Sequence, residues 1–538
     1  MSKKMYADVA PAIPLAPASR QAYTYALPAR AAGARDFSSV TIPFGPRTVE
    51  GVILRLHQQP QRAGLKTLKA IFPVTLTPEQ IAFAQWLSRV AQGGLGYTLR
   101  LFLPKSRRVS SAPPPRRRVR TTPSAAPKLQ AIIERQTEKR HQKIIAAART
   151  AARRGQVLML MPEQWQVEPL LKKVAAALPY AVAAYHSAFS ASHLSKTWHE
   201  VKNSERKIII GTHMALFLPF QKLRLVILEE EFYTTHKLWD QYPRLSNVYA
   251  AQQLAALHRA ALLYTASFPS VRLRHALASG EVAASGTINP LRLQPAYLPF
   301  SLNDRLQRHA VPNVLISKLK AWHARGETTL LYYNRLKAEW ITRVLSAAHL
   351  PVNTRALTLA TSAIFTRQRP PFKHIVWLFP DSDLKIPDFR SHEHVLYTFA
   401  RLHQLSEGHK IYLVPRHGER LEIVDDVDHA VDEMLRERRK FHYPPLTDLV
   451  RLTVSGKTRQ QAWNKAVKIH QLLHQRLQRR PAAERDQIRV RGPYNSPKAE
   501  ADPKNATHLL LSGPLAKLMP LYHLLPVDSA DLDPAQIL

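Results

Sequence analysis

The sequence predicts a multidomain α/β protein: a small β-rich unit first, then two parallel α/β lobes, then an α+β unit. Three observations carry this. The chain has 538 residues, room for three or four domains. From residue 129 onward, short apolar runs alternate with helical segments, the pattern of parallel sheets with crossover helices. Toward the C-terminus, strand-like segments enclose one long helical stretch. The boundaries this suggests are 1–104, a linker at 105–128, lobes at 129–300 and 301–425, and a last unit at 426–538.

In the first unit, Tyr23-Thr24-Tyr25-Ala26-Leu27-Pro28 and Val49-Glu50-Gly51-Val52-Ile53-Leu54 are strand-like, and 42–47 supplies a turn. Thr77-Pro78-Glu79-Gln80 opens a helix, with Thr77 as N-cap and Pro78 in the first turn. The linker carries Arg107, Arg108, Arg116, Arg117 and Arg118 among prolines, so ring stiffness and like-charge repulsion both extend it.

The first lobe's apolar runs are 157–161, 181–185, 208–210, 225–228 and 262–264. The second lobe's are 330–333, 375–379 and 411–414. Runs this short, apolar on both faces, suit strands covered on both sides. The last unit has strand-like 449–454 and 507–511 around a helix near 459–478.

Composition narrows the function classes. The chain has 77 Lys+Arg against 39 Asp+Glu, a formal net charge of +38. Such an excess repels itself unless a polyanion is near, and nucleic acid is the commonest one. The bland alternative is a solvated basic surface. With no cysteine in the sequence, disulfides, thiolate zinc sites, iron–sulfur clusters and cysteine nucleophiles are excluded. No apolar run approaches a membrane span, and no signal peptide precedes the first unit, so a cytoplasmic location and no membrane partner are expected.

The order of motifs resembles the PriA family of replication-restart DNA helicases. Tyr25-Ala26-Leu27-Pro28, Ile42-Pro43-Phe44-Gly45 and Gly51-Val52-Ile53 are similar to the family's N-terminal domain, which holds a 3′ DNA end. His186-Ser187, Ile210-Gly211-Thr212, Leu228-Glu229-Glu230-Glu231-Phe232 and Thr265-Ala266-Ser267-Phe268-Pro269 follow in the order of its helicase core. Pro387-Asp388-Phe389-Arg390-Ser391, Glu393, Glu437-Arg438-Arg439 and Tyr443-Pro444-Pro445 complete the series. The resemblance implies a 3′ DNA-binding domain over 1–104, two RecA-like lobes of the superfamily 2 helicase type, and the family's C-terminal domain from 426.

The departures from the family are as informative. A motor of this type needs a Gly-rich phosphate loop before its first core strand, but Gln136-Thr137-Glu138-Lys139-Arg140-His141-Gln142-Lys143 has no glycine to bring the backbone close to a phosphate. Ser455-Gly456-Lys457-Thr458 imitates such a loop but reads as a plain strand-to-helix turn. Glu229 and Glu230 stand where the family holds magnesium and activates water, and are read as an inherited acidic turn rather than a working catalytic or metal site. Arg401 is offset from the family's nucleotide-bridging arginines and reads as surface charge. The family's eight-cysteine zinc insertion is missing. No cofactor is expected: ATP and magnesium are disfavoured, and zinc is excluded.

The DNA-binding expectation rests on Thr24, Tyr25, Phe44, Gly45 and Arg47. Thr24 stands where the family has the aspartate that receives the terminal nucleotide, so the pocket is expected to lack charge assistance. Phe44 and Tyr25 either pack near a base or fill the core; Gly45 permits close approach; Arg47 suits a phosphate. Arg116, Arg117 and Arg118 are either phosphate contacts or part of a solvated tether. The resulting expectation is a nucleoid-associated bacterial protein that binds branched or single-stranded DNA and 3′ ends at stalled forks. It would support primosome assembly with replication-restart or helicase-loading proteins, without unwinding. The alternatives are an active 3′–5′ helicase with divergent motifs and a non-catalytic protein-binding adaptor.

Overall fold

The computed structural model describes residues 5–13, 15, 21–28, 34–58, 64–105, 127–306, 311–334, 336–406, 409–417, 420–495, 505–535 and 537. The linker arginines therefore lie outside the described residues. The chain forms two compact units that do not follow chain order. The first comprises Met1–Ile132, His141–Thr265 and Thr447–Leu538; the second comprises Ile133–Arg140 and Ala266–Leu446.

The first unit begins with an antiparallel five-stranded sheet of β1 (Tyr6–Pro11), β2 (Tyr23–Ala26), β3 (Ser38–Phe44), β4 (Arg47–His57) and β5 (Ala70–Thr75), in the order β2-β1-β4-β3-β5. The turn expected at 42–47 is tighter than the sequence suggested. β3 runs to Phe44, which pairs with Arg47, so Gly45-Pro46 alone reverses the chain. Gly45 has φ +58°, the positive φ that the first central residue of a II′ hairpin turn requires, and the proline ring fixes the negative φ that follows. Helix Pro78–Ala91 starts where expected. Thr77 accepts from the Gln80 N–H at 3.2 Å, and the Gln80 side chain accepts from the Thr77 N–H at 3.0 Å, closing a capping box.

The same unit contains a parallel sheet formed by β6 (Leu129–Ile133), β7 (Gln156–Leu160), β8 (Val182–Tyr185), β9 (Ile208–Gly211), β10 (Leu223–Glu229) and β11 (Ala261–Ala266), ordered β6-β11-β10-β7-β9-β8. Every residue of Val157–Leu160 and of Ile208–Ile210 is fully buried. One face packs on helices Thr137–Ala152 and Val167–Ala177 through Ile144, Ala148, Leu170 and Val174, with Val157 and Met159 meeting them from the sheet. Continuous apolar runs were the correct signal for strands covered on both sides.

In the second unit, β12 (Ala283–Ala284) precedes a parallel sheet of β13 (Ala296–Tyr297), β14 (Thr329–Tyr333), β15 (Leu357–Ala360), β16 (His374–Leu378) and β17 (Ile411–Val414), ordered β13-β17-β16-β14-β15. Its core brings Leu315, Leu319, Trp322, Ile341 and Leu345 from the helices onto Leu331, Val376 and Leu378. The architecture is thus a β-rich N-terminal sheet followed by parallel α/β sheets, the α/β class the sequence predicts.

The first unit closes with an antiparallel sheet of β18 (Asp448–Ser455), β19 (Arg489–Tyr494), β20 (Ala506–Gly513) and β21 (Ser529–Leu532). Helix Arg459–Gln478 buries Ala462, Ala466, Ile469, Leu473 and Leu477, one stripe at helical spacing. This sheet and the N-terminal helices both dock inside the first unit. Gln80 donates to the Phe217 carbonyl at 2.8 Å, Trp198 to that of Phe102 at 2.9 Å, and Tyr522 to that of Val90 at 3.2 Å. Lys237 and Asp531 form a buried ion pair at 2.6 Å. Among the described residues, no helix is long and apolar enough to cross a membrane.

Candidate nucleic-acid interface

Strand pairing puts Asp8 of β1 directly opposite Thr24 of β2 on one side and Arg55 of β4 on the other. Residues opposite each other in a sheet share a face, so the three form one row. Thr24 donates to Asp8 Oδ1 at 2.8 Å, Arg55 Nη2 donates to Oδ2 at 3.1 Å, and His57 Nε2 lies 3.2 Å from Oδ1. Burial alone would raise the Asp8 carboxyl, but the bonds from Thr24, Arg55 and His57 together hold it below the usual range. The Asp8 side chain keeps 15% of its surface accessible, and that of Arg55 66%. Thr24 thus has a carboxylate beside it. The carboxylate comes from the neighbouring strand, not from the position beside Tyr25.

Alternation along β2 turns Thr24 away from its neighbours. Tyr25 is buried in the sheet core and donates its hydroxyl to the Pro43 carbonyl at 3.0 Å. Phe44 meets Tyr23 edge to face at 5.2 Å. Gly45 and Arg47 sit at the exposed hairpin tip. The structure thus splits the expected residues into two groups: Thr24 in the Asp8 row, and Tyr25, Phe44, Gly45 and Arg47 around the β3–β4 hairpin. Sequence reasoning missed Asp8, Arg55 and His57. The available signal was a lone acid inside the apolar strand Tyr6–Pro11.

At the end of β10 the acidic turn is closed in on itself. Glu229 and Glu230 are almost fully buried, and Glu230 has φ +48°, a conformation that side chains with a Cβ seldom adopt. The Glu229 carboxylate accepts from the Thr265 hydroxyl, and His141 Nε2 lies 3.7 Å away. His236 Nε2 donates to the Glu229 carbonyl at 2.9 Å, and the Asn247 amide donates to its Nδ1 at 3.2 Å. Those two bonds fit only the neutral imidazole, consistent with a His236 pKa pushed down to about 4 by burial. Among the described residues, no group of three or more His, Asp or Glu is placed to hold a metal ion.

In the second unit, the start of helix Thr137–Ala152 is also taken. Glu134 accepts from the Gln136 N–H and from the Asn289 amide, each at 3.2 Å, and Arg140 donates to the Glu134 carbonyl at 2.9 Å. Three separate motifs of the sequence converge in this unit. Arg438 pairs with Glu393 at 2.7 Å, both buried, and donates to the carbonyls of Pro444 and Phe389 at 3.1 Å. Phe389 stacks on Tyr443 with centroids 4.7 Å apart. Arg401 is not mere surface charge; it is half-buried with its guanidinium 4.2 Å from the Phe365 ring centre.

The Ser455–Thr458 turn belongs to the first unit, and its amides are engaged by side chains. The Lys457 N–H donates to Gln461 at 3.2 Å, the Ser455 N–H donates to Asp528, and Thr458 caps the following helix. A Cβ on Gly456 would come within 2.6 Å of the Ala462 nitrogen, so this glycine serves close packing.

Residues 8–104, which carry the Asp8 row, match the family model of the PriA 3′DNA-binding domain (3′BD). The similarity extends beyond that domain. Replication restart protein PriA of Treponema pallidum is 28% identical over 296 residues, covering 49% of this chain and 44% of that protein. Over these stretches the chain is similar to the PriA family. Replication restart protein PriA of Synechocystis is 28% identical over 174 residues, 32% of this chain and 20% of that protein. These matches span less than half the length of the PriA relatives. The solved structure of RecG bound to a three-way DNA junction aligns with 69% of this chain and 45% of its own at 14% identity, with a TM-score of 0.36.

Proposed function

We propose that this PriA-like chain binds branched or single-stranded DNA with an accessible 3′ end and serves replication restart without ATP-driven unwinding. One observation carries the reading: the Asp8–Thr24–Arg55–His57 row keeps an ionised carboxylate at the surface of a domain matched by a 3′ DNA-binding model. A carboxylate accepting from the 3′-hydroxyl of a terminal deoxyribose makes a charge-assisted hydrogen bond, roughly twice as strong as a neutral one. Arg55 sits beside it as a phosphate partner. The net charge of +38 supplies the sequence-independent attraction, so affinity falls steeply with salt.

ATP and magnesium are not cofactors in this reading. The Glu229 carboxylate already has Thr265 and His141 as neighbours, and the Gln136 N–H is given to Glu134. The residues present do not fit a triphosphate, and no step runs through one. Zinc has no part in it either. The protein's partners are fork DNA and proteins of restart or helicase loading, which places it on the bacterial nucleoid in the cytoplasm.

The test compares fork DNA bearing a 3′-hydroxyl with the same fork bearing a 3′-phosphate. Tighter binding to the hydroxyl end, reduced by Asp8→Asn, is expected. Equal binding to both ends would defeat the reading. DNA-stimulated ATP hydrolysis abolished by Glu230→Gln would establish the helicase alternative instead.

A further inference from the structure

A concavity of the N-terminal domain, apart from the Asp8 row, is lined by residues of β3, β4 and β5, of helix Leu95–Leu101 and of the segment after it. Its volume is about 240 Å³. That is below the roughly 300–1,000 Å³ of drug-sized pockets, so it admits one flat ring and leaves larger groups at its mouth. Phe72 and Tyr97 supply aromatic walls, Ser39 and Glu50 polar ones, and Arg100 and Lys105 line it as cations. Tyr97 is held in place: its ring lies 5.3 Å from that of Tyr242, and its hydroxyl donates to the Tyr242 carbonyl at 3.3 Å. Arg100 Nε pairs with Glu50 at 3.2 Å, yet 56% of the Arg100 side chain stays exposed. Lys105 is exposed as a residue, but desolvation of its ammonium and the nearby Arg100 both hold its pKa below the usual value. Two like charges that disfavour each other beside aromatic side chains are relieved by a phosphate, and an aromatic ring offers a stacking face.

We propose that this recess takes one unpaired DNA base between Phe72 and Tyr97, with its backbone phosphates on Arg100 and Lys105. The inference rests on the DNA-binding reading but needs no 3′ end. It adds a contact to the strand's interior, independent of the row that grips the terminus.

The experiment uses the full chain, closed circular single-stranded DNA, and a linear strand of the same sequence with a 3′-hydroxyl. Phe72→Ala and Tyr97→Ala should each weaken circular-DNA binding about tenfold, as expected for losing one stacked base. Arg100→Ala with Lys105→Ala should flatten the salt dependence by roughly 0.7 in log–log slope per lost phosphate. The preference for the linear strand should survive all of these changes. Tyr97→Phe keeps the ring and should bind like the parent. Unchanged circular-DNA affinity in the alanine variants, or equal losses in Tyr97→Phe and Tyr97→Ala, would overturn the recess. Failure of the parent chain to bind either DNA would instead overturn the underlying reading.

Discussion

Two polar clusters of the first unit solve opposite problems with similar residues. In the N-terminal sheet, Asp8 is surrounded by Thr24, Arg55 and His57, yet 15% of its side chain remains accessible. At the end of β10, the Glu229 carboxylate meets Thr265 and His141 while His236 bonds its backbone carbonyl, and only 2% of the side chain remains accessible. A satisfied carboxylate at the surface can exchange a protein partner for a ligand. A satisfied carboxylate in the core cannot, because removing one partner leaves a buried charge unpaired. The contrast is between a carboxylate that a ligand can reach and one closed into the core. It predicts that breaking buried nodes costs stability, while breaking the surface row costs DNA binding.

The largest expected effect concerns a buried node of the second unit. Arg438→Met strands the Glu393 carboxylate in the core and should destabilise that unit by about 3–5 kcal/mol, read by urea denaturation. Adding Glu393→Gln should recover part of the loss. A change below about 1 kcal/mol would show that the node is not the closed ion pair described.

Next comes His236. The unfolded imidazole titrates near 6.5 and the folded one near 4, so between these values the unfolded chain binds a proton that the folded chain does not. Stability is therefore full above about pH 6.5 and falls as the pH drops toward 4, by up to about 3 kcal/mol. His236→Gln should flatten that acid limb in a pH series of thermal melts. An unchanged limb would assign the acid sensitivity elsewhere.

Asp8→Asn should act in the opposite way. Losing a hydrogen bond to a charged group, about 1.5–3 kcal/mol, weakens 3′-end binding by tenfold or more while the melting temperature moves little. If this variant lost stability and kept its end preference, the two clusters would be alike and the contrast would collapse. The smallest effect is expected for Arg47→Ala at the exposed hairpin. A single phosphate contact there should lower the salt slope by about 0.7–0.9 with no change in the melt.

The fold was legible where local chemistry decides it. The runs 157–161 and 208–210 are apolar on both faces and became fully buried strands, and the Thr77–Gln80 pair closed the capping box its spacing announces. β15 escaped because Leu357–Ala360 is a four-residue edge strand with little alternation to mark it. The clusters were hidden for a different reason. Asp8 meets Thr24 only through the register of β1 on β2, and Arg438 meets Glu393 across 45 positions of sequence. No period or spacing encodes such partners. The same holds for the separation of Thr24 from Tyr25. Adjacent letters suggested one pocket, and strand alternation placed them on opposite faces.

The most direct test of the contrast is calorimetric titration of the full chain with a non-hydrolysable ATP analogue and magnesium, alongside a 3′-hydroxyl DNA strand at the same ionic strength. Saturable heat for the DNA and none for the analogue up to millimolar concentration is the predicted result. Stoichiometric binding of the analogue, lost in Glu229→Gln, would contradict it.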